Sequence, residues 1–258
     1  GTHALESATV AGYEQQVFTG APRNLAGLYR QAMHFGDQIM VVQDGQSLTY
    51  AEGFAKAAAL ADALRDRFSV RAGTKVAVVM SNRIEWIISM LAITAVGGVA
   101  ALVNSRGVAE EMLRAIETAQ CELVIMDAER AAIIAAEKPD PVWPRIIVGA
   151  SPLRMSRDAD YSELTVPCTD FEFLPDEMGT EEGGIVLFTS GTTGFPKAAL
   201  LSHGALAHSV ALACFMGLVQ DSRYKEETGL NLPEERRSMA TPAVILGPMF
   251  HLSGIMPI

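Results

Sequence analysis

Gly183-Gly184-Ile185-Val186-Leu187-Phe188 runs into Thr189-Ser190-Gly191-Thr192-Thr193-Gly194-Phe195-Pro196-Lys197, and Ala198-Ala199-Leu200-Leu201-Ser202-His203 runs out of it. An apolar run of strand length stops at nine residues that hold four hydroxyls, two glycines and one lysine. A second short apolar run follows, and then a pattern of helical period. Glycine lets a backbone turn tightly and approach a ligand closely. Successive N–H groups in such a turn form an anion-binding concavity, to which hydroxyls and an ammonium add. The composition therefore reads as a loop that holds phosphate. It is not a Walker A loop, which needs Gly, four residues, then Gly-Lys-Ser/Thr. Here Lys197 follows Pro196, and Ala198 stands where the magnesium-binding hydroxyl is required. A Ser/Thr/Gly-rich surface turn is the bland reading, but it does not account for the order of the nine residues.

At 258 residues the chain has length for one large domain or two modest ones, with a sizeable core. A hydrophobic content of 49% argues for a packed globule. Thirty acidic against twenty basic residues give a net charge of −10, which disfavours nucleic acid or an anionic membrane surface as partner. Cys121, Cys168 and Cys214 are too far apart for a metal or redox motif, so no metal site is expected. They read as free thiols of a reducing cytoplasm. The first residues carry no basic region followed by an apolar stretch, so no signal peptide is expected. Trp86 to Ser105 is twenty uncharged residues, long enough to span a bilayer. Gly97-Gly98 divides it, however, and it reads as a buried helix, a turn and a buried strand, with no transmembrane segment.

Along the chain, Asn24 is placed to cap a helix bearing Leu25, Leu28, Tyr29, Ala32 and Met33. Asp44-Gly45 between Ile39–Gln43 and Ser47–Tyr50 signals a hairpin. Ala51–Phe68, Ile84–Val96, Ala109–Ala119 and Ala128–Glu137 read as helices. Lys75–Met80, Val99–Val103, Leu123–Met126 and Arg145–Val148 read as buried strands. The alternation predicts an α/β fold, a mostly parallel sheet covered by helices on both faces. No G-x-G-x-x-G follows any strand, so a dinucleotide fold is not supported. Prolines crowd between Pro139 and Pro175 and six acids between Thr169 and Glu182, which places a junction there. The expected organisation is a loose N-terminus over 1–20, a first α/β subdomain over 21–175, and over 176–258 the start of a second, similar one. A helix is expected from His203 to Leu218, whose apolar residues (Leu206, Val210, Ala213, Cys214, Met216) read as core rather than as an acyl pocket. A solvated excursion over 220–241 and a last strand over 243–246 follow.

Thr189 to Lys197 resembles, without a break, the T-S-G-T-T-G-x-P-K signature of the adenylate-forming superfamily, which includes acyl-CoA synthetases and aryl-CoA ligases. Ser47-Leu48-Thr49-Tyr50-Ala51-Glu52 is similar to its L-T-Y-x-E element, and Ala95 to Ala100 with Asn104-Ser105-Arg106 to its A-G-G element. In the latter, Ala95 replaces the common lysine and Ser105 the common proline. Pro248-Met249-Phe250-His251-Leu252-Ser253-Gly254 resembles P-L-F-H-x-x-G, and the order of all four matches the family. The family's later motifs do not occur here, so a truncated acyl-CoA synthetase-like large domain is expected, inactive alone.

The resemblance implies a mechanism for the intact enzyme. A fatty or aromatic carboxylate would react with ATP to give acyl-AMP, with Mg2+ present, and coenzyme A would displace AMP. Thr189, Ser190, Gly191, Thr192, Thr193, Gly194 and Lys197 would hold the phosphates, with Lys197 offsetting their charge. His251 would border the acyl and adenylate pocket, its bland alternative being a histidine satisfied at a strand end. A homodimer is compatible with the resemblance, and so is a carrier-protein acceptor in place of coenzyme A. A non-catalytic phosphate-binding module is the reading from a different class.

Overall fold

The computed structural model describes residues 4–10, 12–151, 155, 157–167, 179–190, 196–231, 245 and 247–251. Seven strands form the main sheet. In chain order they are β5 (Lys75–Val79), β6 (Val99–Leu102), β7 (Leu123–Asp127), β8 (Arg145–Val148), β9 (Asp158–Asp160), β10 (Gly183–Ser190) and β11 (Pro196–Ser202). In space the order is β11-β10-β6-β5-β7-β8-β9. All neighbours are parallel except β10 and β11, which form an antiparallel hairpin at one edge. Apart from Lys75, Asp127 and Arg145 at their ends, the four central runs are apolar because they are covered on both faces, as a parallel sheet with crossover helices requires.

Alternation along β5 shows how the layers divide. Val76 and Val78 pack with α2 (Tyr50–Arg67) and α3 (Ile84–Ala95), through Leu60, Leu64, Ile88 and Leu91. Ala77 and Val79 pack on the other face with α4 (Ala109–Ala119) and α5 (Ala128–Glu137), through Met112, Ile116, Ala131 and Ile134. Successive side chains of a strand point to opposite faces, so one five-residue strand serves both cores. Ten of the twelve residues of α3 are buried, as expected of a helix that is apolar all round. The membrane-length run is thus α3, the Gly97 turn (φ +77) and β6, which is the core reading. At Gly98 a Cβ would meet Ile93 O, Ile93 Cγ2 and Val70 Cγ1, each at 3.0 Å, so a side chain there would have to push helix and core aside.

Smaller elements frame this sheet. Asn24 caps α1 (Leu25–Ala32), accepting from the Gly27 N–H at 2.9 Å. β3 (Ile39–Gln43) and β4 (Gln46–Thr49) form the expected hairpin, with Asp44 and Gly45 both at positive φ. Thr49 and Glu52 form a capping box at the start of α2. At the far edge, α6 (Tyr161–Leu164) follows β9, and the buried Arg145 and Asp158 side chains join β8 to β9.

Three regions differ from the sequence reading. The loose start is instead an antiparallel hairpin, β1 (Leu5–Val10) with β2 (Tyr13–Phe18), anchored by the buried Phe18 ring against His208 and Phe215. Helix α7 runs from His203 to Thr228, ten residues past the expected end. Residues 219–228 contain neither glycine nor proline, and the stop comes at Gly229, which takes the left-handed cap (φ +71). Only His203 and Ala207 of α7 are buried, so the apolar residues read as core are largely exposed. By length and composition α7 alone among the described helices meets the rule for a membrane span. Its first turns are tied to the sheet by the buried His203 and Ala207. Beyond the expected junction, β10 and β11 extend the same sheet rather than opening another, while 168–178, 232–244 and 246 lie outside the described residues.

Candidate functional site

A parallel sheet gives the carboxyl ends of its strands a common edge. In open α/β sheets ligands bind outside that edge. Here β5, β6, β7 and β10 all end on it, with Ile185 opposite Ala100 and Leu187 opposite Leu102. The order β6-β5-β7-β8-β9 reverses direction beside β5, giving a switch point between β5 and β7.

The phosphate-loop candidates lie at the end of β10. Thr189 stands opposite Lys197, and Ser190 opposite Pro196, across the hairpin. Thr189 Oγ1 makes a long hydrogen bond of 3.5 Å to Lys197 O, and the Lys197 side chain is exposed. The hairpin thus sets a hydroxyl and an ammonium-bearing residue side by side at the mouth of the sheet. Gly191, Thr192, Thr193 and Gly194, which join the two strands, lie outside the described residues. Ser202 accepts from the Ala205 N–H at 3.2 Å and caps α7.

His251 is exposed and ends a turn in which its N–H donates to Pro248 O at 3.0 Å. This turn reaches the carboxyl edge through Asn82, three residues past β5. Asn82 Nδ2–H donates to Gly247 O, and Asn82 Oδ1 accepts from the Met249 N–H, both at 2.9 Å. The Met249 side chain is buried among the residues of α2 and α3. The fold therefore brings Thr189, Ser190, Lys197 and His251 to one end of one sheet.

Two further features of this edge carry no sequence motif. Asn82 is one. The other is Asp127, whose Oδ2 accepts from the Ser81 N–H at 3.0 Å and whose Oδ1 accepts from the Arg130 N–H at 2.9 Å. Asp127 so caps α5 and ties the ends of β5 and β7 together at the switch point. Arg130 donates onward to Ser105 O at 3.0 Å, reaching the end of β6. Beside them Glu85 is half-buried. Burial raises its carboxyl, but hydrogen bonding from Arg83 and to its own backbone outweighs that and leaves it below the usual carboxylate range. In the sequence these residues are marked only by a polar Ser81-Asn82-Arg83 after a buried strand, which any loop could carry. No group of three or more metal-ligating side chains occurs among the described residues.

A family model described as AMP-binding enzyme matches residues 28–256. The chain belongs to that family. It is 30% identical over 178 residues to the 3-hydroxybenzoate–CoA ligase of Aromatoleum sp. (strain CIB), covering 68% of this chain and 33% of the relative. Among solved structures it is similar to one from Rhodopseudomonas palustris CGA009 assigned as a long-chain-fatty-acid CoA ligase. That match has a TM-score of 0.67 and 26% identity, over 90% of this chain and 53% of the other. An anthranilate CoA ligase in complex with anthranoyl-AMP shares the fold, with a TM-score of 0.66 at 18% identity over 76% of this chain and 37% of that one. The chain thus spans about a third of the curated relative's length. The layered, mostly parallel sheet expected from the sequence is the fold of CoA ligases.

Proposed function

We propose that the protein carrying this chain is an AMP-forming acid–thiol ligase that activates a carboxylic acid and passes the acyl group to coenzyme A. The observation that carries this reading is the register of Thr189 against Lys197 at the carboxyl edge of the sheet, flanking the nine-residue signature. As the signature implies, the hydroxyls of Thr189, Ser190, Thr192 and Thr193 and the N–H groups of Gly191 and Gly194 would bind the phosphates. Lys197 supplies the positive charge that an otherwise acidic chain must concentrate locally. When bound, ATP with Mg2+ supplies the electrophilic α-phosphorus: a carboxylate oxygen bonds to it as the bond to pyrophosphate breaks, giving acyl-AMP. The thiol sulfur of coenzyme A then bonds to the acyl carbon and AMP leaves.

In this reading the loop residues hold the departing pyrophosphate and orient the α-phosphorus, work that is mainly positioning and charge neutralisation. His251 borders the acid and adenylate. The acid is aromatic or fatty, as in the names of the relatives above, and the location is cytoplasmic, in keeping with the free thiols Cys121 and Cys214.

The test is acid-dependent ATP–pyrophosphate exchange by the protein that carries this chain, against a panel of aromatic and fatty acids. Exchange should require one acid class and fall about 100-fold or more in Lys197→Ala, by the scale of losing one preorganised electrostatic contact. Undiminished exchange in that variant would refute the role of Lys197. ATP binding without exchange for any acid would favour a phosphate-binding module.

A further inference from the structure

We infer that Asn82 is a positioning residue for adenylation, clamping the Gly247–His251 turn at the mouth of the sheet. This rests on the reading of His251 as a residue of the acid site. A side-chain amide carries one donor face and one acceptor face. Asn82 uses both on a single partner segment, donating to Gly247 O and accepting from the Met249 N–H, as a neighbouring strand would. The same device recurs one step back. Gln43, the last residue of β3, donates from Nε2 to Asn82 O at 3.2 Å and accepts at Oε1 from the Ile84 N–H at 2.9 Å. Two amides in series thus fasten β3 to the turn after β5, and that turn to the segment bearing His251.

The paired hydrogen bonds differ in kind from the segment's other described contacts. Met249 anchors by burial in the core, which fixes depth, but burial is non-directional. The paired hydrogen bonds fix the register and orientation of the backbone that presents His251, whose own side chain stays exposed. Proline at 248 has no N–H, so the N–H that Asn82 can engage beyond Gly247 is that of Met249.

The experiment compares wild type, Asn82→Ala, Asn82→Gln and the isosteric Asn82→Asp in the full-length protein, by two readouts. Hydrogen exchange at the Met249 amide should quicken about tenfold or more in Asn82→Ala. The kcat of acid-dependent ATP–pyrophosphate exchange should fall about 10- to 100-fold, the scale of two lost hydrogen bonds, with the KM for ATP within about twofold of wild type. Asn82→Gln keeps donor and acceptor and should regain part of both. If Asn82→Ala fails to fold, Asn82→Asp serves, since it keeps the acceptor for Met249 and opposes Gly247 O with a second acceptor. Unchanged Met249 exchange refutes the clamp. Faster exchange at unaltered kcat, or equal loss in Ala and Gln variants, refutes positioning. A wild-type protein with no exchange activity for any acid refutes the adenylation reading instead, while Met249 protection still judges the clamp.

Discussion

Asp158→Ala is the sharpest test of the packing described here. The Asp158 side chain is 0% exposed and that of Arg145 is 1% exposed, so both charges have been taken out of water. Arg145 Nε–H donates to Asp158 Oδ1 at 2.8 Å and Nη2–H to Oδ2 at 2.5 Å, while the Met155 N–H donates to Oδ2 at 2.7 Å. Truncating the carboxylate strands a buried guanidinium and a backbone donor together. Breaking such a pair from one side costs about 3–5 kcal/mol, a large share of the roughly 5–15 kcal/mol that holds a domain folded. At about 2–4 °C per kcal/mol for a chain of this size, Tm should fall by roughly 6–20 °C. Urea denaturation followed by far-UV circular dichroism reads the same quantity directly. The double variant Arg145→Met/Asp158→Leu removes both charges and should recover most of the loss, because a well-packed apolar pair is often as stable as a buried ion pair. A cost below about 1 kcal/mol for Asp158→Ala, the range of an exposed pair, would refute the desolvated geometry.

His203 should make stability depend on pH. Its ring is fully buried, and both ring nitrogens lack a hydrogen-bond partner among the described residues. Burial holds its pKa below the ordinary 6.5, opposed in part by the charge of Glu182. The unfolded chain therefore binds the proton first. Stability is full above about pH 6.5 and declines as pH falls toward the folded value, by at most about 1.4 kcal/mol per unit. Denaturation of wild type and His203→Leu between pH 7.5 and 5 should show the shallower slope in the variant, and equal slopes would sink the assignment. Two glycines should respond in opposite senses. Gly98→Ala drives a methyl against Ile93 and Val70 and should cost about 1–3 kcal/mol. Gly217→Ala meets nothing within 4 Å in the middle of an exposed helix and should gain about 0.5–1 kcal/mol. Thermal midpoints that move the same way in both would contradict the packing around Gly98.

The central sheet was legible because a strand buried on both faces must be apolar through its interior, as Val76–Met80 and Leu123–Met126 are. Helix ends were legible where a capping residue marked them, as Asn24 does. Elements held mainly by a distant partner were hidden. Nothing local in Leu5–Val10 or Tyr13–Phe18 announces a hairpin whose anchor, Phe18, packs on a helix some 190 residues later. The end of α7 was misplaced because charged residues were read as loop, although they are sound helix formers. At the site, Thr189–Lys197 stood out since its nine residue types, in unbroken order, match a family signature. Asn82 did not, because one amide after a strand resembles any loop residue until its partners, Gly247 and Met249, come into view.

The place of β10 in the sheet has a consequence for the order of assembly. Apart from the edge of β6 that takes β10, strands β5 to β9 find their strand partners within residues 75–160, so this part of the sheet can close while the chain is still being synthesised. The free edge of β6 must then wait until residues 185–187 emerge, a delay of about seconds at usual translation rates. The hairpin that flanks the candidate loop is thus added to an already paired sheet, as its outermost layer. Outer layers with exposed hydrogen bonds are also the first to open under stress. Mild damage should therefore open the β10–β11 hairpin first, while the helix-covered centre stays folded and available for repair.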